Sequence, residues 1–198
     1  MSNLAQPLTR YCYRDYASWP ESLRGELIDG EFFAQSAPST THQRISMQLS
    51  GQLWTQLKGR RCQPYASPID VLLRRSHEAS DDDAGTVLQP DLLIVCDPAK
   101  ITGRYLRGAP EFVLEILSPA TARHDQVVKL RLYEQHGVQE FWTLDPDTRV
   151  LMIYTQDRPN HYGPTRVLEA VGKTPLAVVE NVIVDWDEVF EEPLPELG

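Results

Sequence analysis

The sequence predicts an α/β protein, a mixed β-sheet flanked by helices with an N-terminal β-hairpin. Three observations lead there. Two short apolar runs bounded by proline, Gln89-Pro90-Asp91-Leu92-Leu93-Ile94-Val95 and Glu111-Phe112-Val113-Leu114-Glu115-Ile116-Leu117-Ser118-Pro119, read as strands. A charged amphipathic segment around Asp125 to Tyr133 comes after them and reads as a helix, before Glu140-Phe141-Trp142 resumes strand character. That order makes a β-α-β crossover within the sheet. Asp29-Gly30, between Leu27-Ile28 and Glu31-Phe32-Phe33, supplies the positive φ of a tight two-residue turn and so a hairpin.

Taken in order, residues 1–10 read as a loose polar tail, and Arg14 to Leu23 as a short helix broken by Pro20. After the hairpin, Pro38-Ser39-Thr40-Thr41 offers several helix caps. The helix runs from about His42 to Leu57, with Ile45, Leu49, Leu53 and Leu57 on one stripe and Gly59 beyond its end. Cys62 to Arg75 reads as one strand or two, kinked at Pro68. Ser76 to Thr86, centred on Asp81-Asp82-Asp83, reads as a solvated acidic loop, because three adjacent carboxylates of an extended chain do not converge on one ion. Asp97 to Ala109 is a connection carrying Arg104 and Arg107.

Ser118-Pro119-Ala120-Thr121 turns the chain into a helix from about Arg123 to His136, ended by Gly137. Strands come next at Glu140–Asp145 and Val150–Gln156, then short strand and turn through Val167-Leu168-Glu169 and Ile183-Val184-Asp185-Trp186. Residues 11–190 are expected to form one domain, with 191–198 as a tail.

Composition narrows the classes. Hydrophobic content of 41% and charged content of 24% are ordinary for a globular protein. No stretch reaches the ~20 apolar residues of a membrane span, and the N-terminus has no export pattern. Three scattered cysteines without C-x-x-C spacing fit a reducing cytoplasm, Cys96 reading as a small core hydrophobe. The net charge of −9 is the wrong sign for tight non-specific nucleic-acid binding. A bound metal ion or a local basic patch reverses that sign where it matters.

The acids are the odd feature. Glu115 lies inside a strand, on one face with Val113 and Leu117, while Phe112, Leu114 and Ile116 take the other. A strand apolar on both faces is central and doubly covered. A lone carboxylate there costs several kcal/mol, so it needs a cation, a metal or a proton. If Asp91 and Glu115 sit on neighbouring strands facing the same side, they share one divalent ion, Mg²⁺ or Mn²⁺.

These residues resemble the PD-(D/E)xK nuclease signature, as Pro90-Asp91 and Glu115-Ile116-Leu117, with leucine where the lysine would stand. Together with Gly25-Glu26-Leu27-Ile28-Asp29-Gly30-Glu31, His42, Ser118-Pro119, Lys129, Tyr133, Gly137-Val138 and Glu140-Phe141-Trp142, the ordered set is similar to the Uma-two family of restriction endonucleases, over roughly residues 11 to 190. The resemblance implies a restriction-endonuclease-like core and a Mg²⁺-dependent DNA endonuclease. Asp91 and Glu115 would be metal ligands with the carbonyl of Ile116, and Lys129 would replace the missing lysine. The alternatives are a nuclease fold without catalysis, serving binding or oligomerisation, and a metal-free hydrolase using the two acids as acid and base.

Accessory candidates carry two readings each. His42 is either a half-buried histidine bonded to backbone or a group at the rim of the acidic site. Glu31 and Glu26 are exposed hairpin carboxylates or extra acids near the metal. Lys129 either snorkels from the sheet edge or enters the site, and Asp125 is its (i, i+4) partner. The apolar run Val150-Leu151-Met152-Ile153-Tyr154 reads as a sheet edge that a homodimer would cover.

Overall fold

The computed structural model describes residues 10–20, 22–119 and 124–191. In chain order come α1 (Tyr13–Tyr16), β1 (Gly25–Ile28), β2 (Glu31–Ala34), α2 (Thr40–Leu57), β3 (Gln63–Ala66) and β4 (Asp70–Leu72). A 3₁₀ turn at Asp81–Asp83 precedes β5 (Val87–Leu88) and β6 (Leu92–Val95), and another at Pro98–Lys100 precedes β7 (Tyr105–Arg107) and β8 (Phe112–Ile116). A π-helical stretch, His124–Lys129, runs into α3 (Leu130–His136). Next come β9 (Glu140–Asp145), β10 (Val150–Arg158), β11 (His161–Tyr162), β12 (Arg166–Glu169), β13 (Lys173–Pro175), β14 (Ile183–Asp185) and α4 (Trp186–Val189).

The main sheet has the order β11-β10-β9-β8-β6-β3, with β12 also on β10. Only β8 and β9 among these pair in parallel, joined through α3, so the sheet is mixed and the expected crossover is present. A second sheet, β2-β1-β5-β4-β7, carries the hairpin. Its turn places Asp29 at φ 52° and Gly30 at φ 80°, the two positive dihedrals that Asp-Gly provides.

The alternation in β8 divides the core as expected. Phe112, Leu114 and Ile116 join Leu92, Ile94, Trp142 and the α2 stripe Ile45, Leu49, Leu53 and Leu57. Val113 faces the other way, with Leu93, Phe141, Leu132 and Tyr133, and with Ile28, Val71 and Leu88 of the second sheet. The acids of interest lie on this second side. Helix α2 is capped by Ser39, whose hydroxyl accepts from the His42 N–H at 3.1 Å.

Several expectations are corrected. Strand β10 is not an edge: β9 lies on one side of it and β12 and β11 on the other. The apolar run thought to need a second copy is covered within the chain, and the dimer loses that argument. Cys62 and Cys96 are joined by a disulfide one step beyond the Gln63–Val95 pair of β3 and β6, leaving Cys12 free. A disulfide is not what a reducing cytoplasm maintains, so the cysteines no longer argue for that location. No described helix is long and apolar enough to cross a membrane. The acidic loop is ion-paired: Asp81 accepts from Tyr105 at 2.8 Å and from Arg107 Nε at 2.6 Å. The expected helix start at Arg123 lies outside the described residues, and from His124 a π-helical turn leads into the α-helix.

Candidate active site

The site forms where β6, β8 and β1 meet the helix that comes after β8. The register pairs Leu92 with Leu114, so the next step outward sets Asp91 opposite Glu115. Asp91 Oδ2 accepts from the Ile116 N–H at 2.8 Å and contacts His42 Nε2 at 3.0 Å. Glu115 is 3% exposed. Its Oε1 accepts from Tyr133 OH at 2.8 Å and from Lys129 Nζ at 3.0 Å.

Lys129 is the centre of the cluster. It is 3% exposed, so it does not snorkel. Its ammonium touches three carboxylates: Glu115, Glu26 at 3.0 Å and Asp125 at 3.2 Å. The π turn, with the first turn of α3, sets Asp125, Lys129 and Tyr133 on one face, one helical step apart. The expected (i, i+4) pair is therefore real, and buried.

Glu26 was expected at the hairpin surface before a place near the site. It is 2% exposed, because every residue of β1 is covered on both sides. Ile28, two residues on, packs in the same core as Tyr133, and Glu26 shares that face. Its Oε1 also accepts from the Gln89 N–H at 2.6 Å. The neighbouring Gly25 lets β2 approach: a Cβ there would lie 2.4 Å from both the Phe32 ring and the Phe33 carbonyl. Glu31, by contrast, is exposed, and among the described residues it makes no ion pair with the cluster.

Charge is unbalanced here. One ammonium offsets one carboxylate, yet it faces three, and Asp91 is a fourth nearby. Burial pushes the Glu115 carboxyl well above the usual range; Lys129 opposes that, while Asp125, Asp91 and Glu26 add to it. Burial also works against charge on Lys129, but Glu115, Glu26 and Asp125 outweigh it and raise its pKa well above the ordinary value. A full proton on Glu115 would remove part of what holds Lys129 charged. With Glu26 and Asp125 still in contact, the lysine stays an ammonium. It is therefore a fixed positive charge and no general base.

His42 is bonded to the Asp91 carboxylate, and the Ile116 backbone carbonyl also acts on it. Burial lowers its pKa, yet the Asp91 hydrogen bond and charge, then the Ile116 carbonyl, leave it raised. Its Nδ1 is buried with no hydrogen-bond partner among the described residues. Leu117 is buried and its N–H donates to the Leu144 carbonyl at 2.8 Å. Among the described residues no three His, Cys, Asp or Glu side chains are grouped to hold a metal ion; Lys129 takes the point where three carboxylates converge.

Sequence reasoning gave Tyr133 no role of its own, although its spacing of four from Lys129 was the available signal. Glu140 is a useful contrast. It too is buried, but Trp142 Nε1 at 2.8 Å and the N–H groups of Ala177 and Val178 at 2.7 and 3.0 Å satisfy it. That carboxylate is satisfied by neutral donors alone, whereas Glu115, Glu26 and Asp125 converge on one ammonium.

The surplus charge gives a first prediction. Glu115→Gln keeps an acceptor for Tyr133 and leaves Lys129 two carboxylates. Thermal melting in EDTA should show stability unchanged or raised. A loss above about 3 kcal/mol would mean the ion pair is net stabilising.

A mixed sheet with acids on adjacent central strands, and a lysine delivered by the next helix, defines a nuclease-like fold of the restriction-endonuclease class. The chain belongs to the Uma2 family, described as "Putative restriction endonuclease", which it matches over residues 13–186. It is similar to the uncharacterised protein slr1290 of Synechocystis sp., with 27% identity over 146 residues and 73% of each chain covered. Its fold is similar to the crystal structure of a "putative nuclease belonging to DUF820" from Anabaena variabilis, with a TM-score of 0.71 and 16% identity. That match covers 90% of this chain and 97% of the other.

Proposed function

We propose that the protein is a divalent-metal-dependent endonuclease hydrolysing DNA phosphodiester bonds. The observation that carries this reading is the pairing of Asp91 with Glu115 across β6 and β8, beside more carboxylates than cations. Family membership supports the nuclease class.

The donor set fits a hard cation. Two carboxylates and the Ile116 carbonyl are oxygen ligands of the kind Mg²⁺ accepts along with retained waters. The excess negative charge and the unpartnered Nδ1 of His42 both favour a positive or polar guest. Asp91, Glu115 and the carbonyl of Ile116 would hold the ion. Once bound, it would polarise the phosphodiester and lower the pKa of a water.

The protein's own groups do the rest. Tyr133 and Lys129 fix the Glu115 carboxylate through the oxygen they share. The Ile116 N–H and His42 fix Asp91. The Lys129 ammonium supplies positive potential next to the developing phosphorane charge without changing protonation.

Calorimetry with Mn²⁺ tests the reading. Wild type should bind near millimolar concentration or tighter, and Asp91→Ala and Glu115→Gln should not. Cleavage should require the metal, stop in EDTA and weaken with salt. A wild type that binds no divalent ion and cuts no DNA would leave a fold retained without catalysis.

A further inference from the structure

We propose that a cavity beside the acidic cluster is a nucleotide subsite, taking an amino-bearing nucleobase together with its phosphate. The proposal deepens the nuclease reading and rests on it for the identity of the ligand.

The cavity has a volume of about 470 Å³ and is walled by Tyr65, Ile69, Asp70, Gln89, Arg104 and Tyr105. That is within the range of small-molecule sites. Neither Glu115 nor Lys129 lines it, but its wall is continuous with the acids. Gln89 lines the cavity with its side chain while its N–H donates to Glu26 at 2.6 Å. The Ser67 N–H, between the lining residues 66 and 68, donates to the Asp91 carbonyl at 3.0 Å. The cavity and the acids therefore share a wall.

The polar groups are set for a particular edge. Gln89 Nε2 donates to Asp70 Oδ1 at 2.8 Å and to Tyr16 OH at 3.0 Å. Tyr16 OH is itself 3.1 Å from both the Gly25 carbonyl and Asp70 Oδ1. These contacts fix which way the amide faces. They leave Gln89 Oε1 and Asp70 Oδ2 without a hydrogen-bond donor among the described residues. Two free acceptors suit the exocyclic amino groups of guanine, adenine or cytosine; thymine has no amino group and offers a single N3–H flanked by two carbonyls that would face the same acceptors.

Tyr65 and Tyr105 add aromatic surface, on which bases stack irrespective of sequence. Arg104 is exposed, and among the described residues it has no ion pair, so its guanidinium is free for a phosphate.

The test is titration with dGMP, dAMP, dCMP and dTMP in EDTA, read by calorimetry. The three amino-bearing nucleotides should bind about tenfold tighter than dTMP. Arg104→Ala, on an exposed side chain, should weaken all of them by about tenfold. Asp70→Asn should narrow the gap to dTMP. Equal affinity for dTMP, insensitivity to Arg104→Ala, or no binding at millimolar nucleotide would each overturn the proposal. Because metal is absent, the result is independent of whether Mn²⁺ binds or DNA is cut. A protein that cuts DNA yet binds none of the four loses the subsite and keeps the nuclease reading.

Discussion

Lys129→Met should destabilise the protein by about 3–5 kcal/mol at neutral pH, the loss expected when one partner of a buried ion cluster is removed. For a chain of this size that is on the order of 10 °C in Tm. Methionine keeps most of the stem, so the main loss is the charge that faces Glu26, Glu115 and Asp125. The effect should depend on pH with a definite sign. Burial already raises the Glu115 carboxyl above its ordinary value. A carboxyl with a raised folded-state pKa costs stability above that pKa and costs nothing below its unfolded value. The deficit should therefore shrink as pH falls toward the ordinary glutamate range and be full only above the raised folded-state pKa. Urea unfolding at about pH 5 and about pH 8 reads this directly. An equal deficit at both would assign the loss to packing. Adding Mn²⁺ to the variant should recover part of the stability, since the folded state gains a ligand with the missing sign.

What could be read in the sequence divides along a physical line. The faces of β8 came from period-two alternation, and α2 from a stripe and a cap. Both are local patterns, and both stand. The burial of Glu26 was not legible, because a four-residue strand after an exposed-looking loop says nothing of what packs on it. Only the second sheet and the helix after β8, both distant in sequence, make it a buried acid. Glu31, five residues on, looked equivalent and is exposed, since β2 is covered on one side only by β1. The same limit explains β10. An apolar strand near the end of the predicted sheet looked like an edge, and β12 returns from later in the chain to pair with it. Lys129 was placed on the right helix face by its wheel position. Its burial came from the three carboxylates that converge on it, which no local pattern encodes.

The proposal that Lys129 stands in for a lysine at position 117 can be tested by moving it back. Period-two geometry sets Leu117 on the face of Glu115, and Leu117 is 6% exposed, so a lysine there would enter the same covered site. Lys129→Met should lower turnover by about 10²–10⁴-fold, as expected for a positioned charge beside the reacting group. Metal affinity should hold or rise, because Glu115 loses a competitor for its Oε1. The double variant Lys129→Met with Leu117→Lys restores the net charge, the cation now arriving from the strand instead of the helix. It should recover part of the turnover and part of the lost stability together. Thermal melting and Mn²⁺ titration of both variants establish that each is folded and metal-competent. A folded, metal-binding double variant no more active than Lys129→Met would show that position 129 supplies more than charge. Full activity of Lys129→Met alone would remove the lysine from the mechanism and leave it a counter-ion for the buried acids.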